Sequence, residues 1–183
     1  MHSRLSANGN TIVSLSCLVV QGDSGFLLAR GGSVQMRSKP MQHYFDCPRQ
    51  FGACPEYVGA TDNADDADEY KWEAQPGDVI IMGTDGLWDN CFGEELLKLL
   101  PQCPEDAQKA ADQIAALAQR HSMDPTYESP FVVEARDQGM DLQWWEKLLQ
   151  TRVQDGRIEC GRLLGGKLDD ITVVAAYVME AKR

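Results

Sequence analysis

Residues 80–90 read IIMGTDGLWDN: an apolar run rises to Thr84, then delivers Asp85, a Gly-Leu-Trp turn and a second acid, Asp89. A short apolar, β-branched run bounded by turn residues is a buried strand. The Pro76-Gly77 turn upstream starts it near Asp78. Two carboxylates at the end of such a strand admit two explanations. Asp-Gly is an ordinary turn dipeptide, and Asp89-Asn90 suits the cap of the helix that follows. The same pair also suits an oxygen-ligand site for a hard cation.

Working outward, TIVSLSCLVV (11–20) is another buried strand. The turn QGDSG leads to FLLAR (26–30), and Gly31-Gly32 leads on to SVQMR (33–37), a small antiparallel meander. Residues 38–57 read as loop. The acidic run TDNADDADEY (61–70) reads as a solvated loop, without the Gly and terminal Glu that a calcium loop of the EF-hand type requires. Four segments read as helices: GEELLKLL (93–100), PEDAQKAADQIAALAQRH (104–121), SPFVVEARDQGM (129–140) and DLQWWEKLLQ (141–150). Pro104 and two acids favour the start of the second. The fourth places Leu142, Trp145, Leu148 and Leu149 on one apolar face, with the Trp144-Trp145 pair expected to pack. TRVQDGRIECGRLLGG (151–166) reads as loop or hairpin, and DDITVVAAYVM (169–179) as a strongly β-branched strand. Strands at both ends with helices between them give an α+β layered fold.

The chain of 183 residues suits one domain, and its 43% apolar and 8% aromatic content is that of a globular protein. No apolar run approaches the ~20 residues of a membrane span, and MHSRLSANGN lacks a secretory signal pattern. With 17 basic and 28 acidic residues the net charge is −11, which argues against nucleic acid and anionic membrane as partners. A phosphorylated substrate is compatible with that charge when cations invert the local field. The six cysteines form no CxxC pair and no zinc spacing. They suit a reducing, intracellular compartment, cytoplasmic or organellar.

Acids stand at the edges of three expected strands: Asp23 after CLVVQ, Asp85 after VIIMGT, and Asp169-Asp170 before ITVVAAYV. If the strands are neighbours, the carboxylates converge, and converged carboxylates stay charged only around a cation. Oxygen ligands alone select Mg²⁺ or Mn²⁺. Each acid also has a plain structural use, as turn, cap or strand-end partner, and spacing leaves both open. His43 has no Ser or Cys elbow to make a triad. His121 suits a helix C-terminus, where the dipole favours a cation.

GDSGFLL (22–28), DVIIMGTDGLWDN (78–90) and GGKLDDITVVAAYV (165–178) resemble, in that order, the motifs of the metal-dependent type 2C protein phosphatases. MQHYFDCPRQFG (41–52) and YESPFVVEA (127–135) are similar to the subgroup found in mitochondria and chloroplasts, while 138–163 stands out as an insertion. The resemblance implies a four-layer αββα sandwich with two Mn²⁺ or Mg²⁺ ions at one end. It implies hydrolysis of phosphoserine or phosphothreonine in a protein substrate by a metal-held water, without a phosphoenzyme. It gives Asp85 and Asp169 as metal ligands, and Asp23 and Asp89 as acids for a further, weaker ion. Asp170 would orient the neighbouring ligand, Gly86 would permit the close turn, and Trp88 would pack beneath it. The family's first metal motif, whose Asp bridges both ions, is absent, as are the earlier acidic strand and the phosphate-holding Arg. Residues 1–183 are therefore expected to be one partial domain lacking its opening strands. A truncated gene model, a completing partner chain and a degenerate phosphatase-fold module that binds a partner are the three accounts of that departure.

Overall fold

The structure, a computed structural model, describes residues 4–5, 11–12, 18–52, 59, 61–154 and 157–180. Six strands carry the architecture: β1 (Leu18–Val20), β2 (Gly25–Arg30), β3 (Ser33–Arg37), β4 (Asp68–Tyr70), β5 (Val79–Gly83) and β6 (Val173–Tyr177). The helices are α1 (Asp85–Trp88), α2 (Gly93–Leu97), α3 (Ala107–Ser122), α4 (Pro130–Asp137) and α5 (Trp144–Leu149).

Strands β6, β5, β2 and β3 form one antiparallel sheet in that order. Residues two apart share a face of a strand, and here the two faces have different neighbours. Leu27, Ala29, Val79 and Ile81 turn to Leu87 and Trp88 of α1, Cys91, Leu96 of α2, and Ile114 and Ala118 of α3. Phe26, Leu28 and Ile80 turn the other way, onto Leu18, Val20, Tyr70 and Trp72. Leu27, Ile81, Leu87, Leu96 and Ile114 are fully buried, and each such side chain stabilises the fold by about 1.5–3 kcal/mol. On the opposite face Phe26 meets Tyr70 edge-on at 5.0 Å and stacks on Trp72 at 5.9 Å. Among the described residues, the helices, the four-stranded sheet and the β1–β4 pair are thus three layers of an α+β fold, with the central strand β2 buried on both faces and the edge strand β3 mostly exposed.

Several expectations are corrected. β1 does not join the β2–β3 meander: it pairs with β4, in the other layer. The chain changes layer at the turn where Gly22 takes φ 84° and its carbonyl accepts from Met41 N–H. β4 emerges from the acidic run read as loop, after a 3-10 turn at Ala64–Asp66 capped by Asn63. Expected strand 11–20 includes residues 13–17, outside those described; Cys17 and Cys54 lie outside them as well. Residues 38–57 hold a hairpin, Gln42–Tyr44 against Cys47–Pro48, with Asp46 at φ 57° in its turn. Of the expected apolar face at 141–150, Leu142 is half-buried, while Trp145, Leu148 and Leu149 are exposed on the six-residue α5. Trp144 and Trp145 meet each other edge-on at 5.9 Å instead of packing into the core.

Candidate metal centre

The ends of β5 and β6 are stitched where the apolar registers stop. Thr84 N–H donates to the Thr172 carbonyl at 3.2 Å, Thr84 Oγ1 donates to the Asp170 carbonyl at 2.8 Å, and Thr172 N–H returns to Thr84 Oγ1 at 3.1 Å. Asp85 opens α1 there, accepting from Gly86 N–H at 2.9 Å. A Cβ on Gly86 would stand 2.6 Å from the Asp170 carbonyl oxygen. Its value is therefore close approach between two chain segments, since its backbone is helical. Beneath, the Trp88 indole donates to the Gly83 carbonyl at 2.9 Å, and the Arg37 guanidinium lies 5.1 Å from its ring centre.

This stitching gathers acids from three distant segments. Burial raises the Asp85 pKa, and the charges of Asp23 and Asp169 raise it further. Burial pushes Asp89 up to about 6, with Lys167 opposing and Asp85 and Asp23 adding to the rise. For Asp85 and Asp89, burial acts first and the neighbouring carboxylates add to it. Asp169 Oδ1 accepts from Asp170 N–H at 2.8 Å. Asp170 contributes its backbone carbonyl to the Thr84 bond, while its side chain is exposed. Asp89 and Asn90 do not cap α2. That helix begins after Phe92, whose N–H donates to Glu95 at 2.8 Å.

Three residues escaped the sequence-based assignment. Lys167 places its ammonium 2.8 Å from Asp46, 2.9 Å from Asp89, 3.5 Å from Asp85 and 3.8 Å from Asp169. Burial opposes its charge, but hydrogen bonds to Asp46 and Asp89 carry its pKa above the ordinary lysine value. Asn90, fully buried, bonds Gly86 and Lys167 through their backbones. A cation two residues ahead of the acid pair in GGKLDDITVV is a visible signal for Lys167. Asp46, in a hairpin turn, has no such signal.

The donor set of Asp23, Asp85, Asp89 and Asp169 is all carboxylate oxygen, which fits a hard divalent cation that keeps several waters. Among the described residues, no three aspartates bring ligand oxygens within 4.8 Å of one another. A second group, Cys91, Glu95 and His121, does meet that spacing and could hold a metal. Its members already have partners: His121 Nδ1 donates to the Asn90 carbonyl at 2.8 Å, and Glu95 accepts from Tyr127 at 3.0 Å. Burial pushes the Cys91 thiol up to about 12, against the thiolate a soft metal needs. His121, expected to serve the helix dipole, is thus part of this brace and stacks on Tyr127 at 3.9 Å. His43 bonds Asp62 at 2.8 Å, which also accepts from Gln50 N–H, a local loop clamp.

An α+β protein with an acidic cluster at one end of its central sheet is the class defined so far. No protein-family model matches the chain. It is 38% identical over 157 residues to a probable protein phosphatase 2C 1 of Oryza sativa subsp. japonica, covering 86% of this chain and 43% of that protein. It is 39% identical over 166 residues to a human protein phosphatase PTC7 homolog, covering 87% of this chain and 48% of that one. Among solved structures, the photosystem II phosphatase PBCP superposes with a TM-score of 0.73 at 33% identity, over 94% of this chain and 67% of that one. The chain belongs to the metal-dependent type 2C protein phosphatase family, in its PTC7-like subgroup. It spans about half the length of the curated relatives it matches.

Proposed function

We propose that this chain carries part of the divalent-cation centre of a protein serine/threonine phosphatase. The observation that carries the reading is the gathering of Asp23, Asp85, Asp89 and Asp169 from separate segments, with raised pKa values at Asp85 and Asp89. Asp85 and Asp169 would hold Mn²⁺ or Mg²⁺, with Asp23 and Asp89 beside them. Such an ion, when bound, acidifies a water and offsets phosphate charge. The chain's own contribution is to hold the acids: Thr84 ties the two strand ends, Gly86 admits the Asp170 carbonyl, and Asp170 N–H orients Asp169. The substrate class is a phosphoserine or phosphothreonine protein, in keeping with the family and with an acidic chain that needs cations to accept phosphate. No helix among the described residues is long and apolar enough to cross a membrane. The cysteines Cys47, Cys91, Cys103 and Cys160 are free, which suits a reducing compartment, cytoplasmic or organellar.

Hydrolysis of a phosphothreonine peptide with Mn²⁺ tests the reading, using the chain alone and the chain extended by its upstream coding sequence. Mn²⁺-dependent turnover lost in Asp85→Asn is expected. No turnover from either form would overturn it. A second reading, a phosphatase-fold module that binds a partner without turnover, is favoured by one observation: Lys167 already supplies positive charge to the cluster.

A further inference from the structure

We propose that Lys167 is a tethered cation, its ammonium holding the place between Asp46 and Asp89 that a divalent ion would otherwise take. This rests on the carboxylate cluster being a divalent-cation centre. The ammonium touches Asp46 and Asp89 at 2.8 and 2.9 Å and has Asp85 and Asp169 at 3.5 and 3.8 Å. Four carboxylates from three segments thus face one nitrogen. A divalent cation drawing on Asp46 and Asp89 would compete with the ammonium for the same oxygens and be repelled by its charge.

Lys167 is held there by its backbone, unlike a wandering surface lysine. Its N–H donates to Asn90 Oδ1 at 2.9 Å, and its carbonyl accepts from Asn90 Nδ2 at 2.8 Å. Asn90 is fully buried and also ties the Gly86 carbonyl, so the lysine and the first turn of α1 share one anchor. Just upstream, Gly166 is packed so closely on the end of α3 that a Cβ would fall 2.0 Å from the His121 carbonyl oxygen. Below the ammonium, the Phe131 ring lies 4.9 Å away, a cation–π contact that favours the charge in place. The side chain is only 20% exposed.

A fixed monovalent charge in a cluster of aspartates changes its cation count. It neutralises one carboxylate permanently, needs no free metal, and leaves the remaining acids for ions held by Asp85 and Asp169. Lys167 is a positioning residue in this scheme: it sets where and how many ions bind, without touching the reacting phosphate.

The test is Mn²⁺ titration of the full chain, followed by electron paramagnetic resonance of the free ion. Wild type is compared with Lys167→Met, Lys167→Gln and Lys167→Arg. The Met and Gln variants are expected to bind one more Mn²⁺ than wild type, or to hold one ion about tenfold or more tightly. Arg, which keeps the charge, is expected to match wild type. In the same samples, Mn²⁺ should raise Tm more in the Met variant than in wild type. Equal numbers and affinities, or weaker binding in the Met and Gln variants, would overturn the proposal while leaving the metal centre standing. Binding by the Met variant but not by wild type would refute a metal centre in the native chain and, with it, the proposal that Lys167 leaves Asp85 and Asp169 free to hold ions. No binding by either would refute both.

Discussion

Asn90 grips Lys167 on both sides of its backbone, accepting from its N–H at 2.9 Å and donating to its carbonyl at 2.8 Å, across 77 positions of sequence. The same carboxamide holds the Gly86 carbonyl at 2.9 Å. Asn90→Ala would strand three buried backbone groups, each costing on the order of 1 kcal/mol or more, so a loss of roughly 2–4 kcal/mol is expected in urea unfolding. Asn90→Asp keeps the acceptor but turns a buried carboxylate oxygen onto the Gly86 and Lys167 carbonyls, and should cost at least as much as Ala.

Gly86→Ala separates crowding from hydrogen bonding. The new methyl would meet the Asp170 carbonyl oxygen at 2.6 Å and Ile171 at 3.1 Å. Segment 169–172 must then withdraw from α1. Overpacking of this kind costs about 1–3 kcal/mol, and Mn²⁺ affinity measured by calorimetry should fall with it. Unchanged affinity would show that the close approach serves the fold alone.

Asp78 supplies a pH dependence away from the metal centre. It is fully buried at the start of β5, accepting from Arg30 at 2.6 and 2.9 Å and from Gln75 N–H at 2.9 Å. Burial works to raise its pKa, but the Arg30 hydrogen bonds, Gln75 N–H and the Arg30 charge outweigh it and leave the folded value below the ordinary carboxylate. A depressed folded pKa contributes stability that is present above the unfolded value and lost as pH falls through the folded one. Asp78→Asn should therefore cost on the order of 1–3 kcal/mol near neutral pH, with the gap to wild type closing below about pH 4. A gap constant down to pH 2 would exclude the charge as its source.

The apolar side chains of α5 give the contrasting case. Trp144 is 73% and Leu149 82% exposed. Trp144→Ser and Leu149→Ser should shift stability by no more than about 0.5 kcal/mol. A loss of several kcal/mol would mean that this face is covered in solution.

Where local pattern decides structure, the sequence was transparent. VIIMG and VVAAY form strands β5 and β6 as their β-branched residues suggest, and the Ser129-Pro130 start of α4 works as expected, with Ser129 Oγ accepting from Val132 N–H. Where partners are distant, it was not. β4 is the polar triplet Asp68–Tyr70, recognisable only once β1 lies beside it. The apolar spacing of α5 resembles a core face because periodicity reports what could be buried, not what is. At the site, strand-end acids were visible as candidates because they break apolar runs. The cap proposed for Asp89 and Asn90 failed because Glu95 takes that duty from inside α2, freeing Asp89 to meet Lys167. Lys167, Asn90 and Asp46 become a unit only through contacts that no short window contains.

The most direct test of the central claim is a calorimetric titration of the full chain with MnCl₂, set beside Asp85→Asn. If Asp85 and its neighbours form a divalent-cation centre, wild type binds Mn²⁺ with heat that a chelator abolishes, and the variant binds at least about tenfold more weakly. Superimposable isotherms for the two proteins would contradict it.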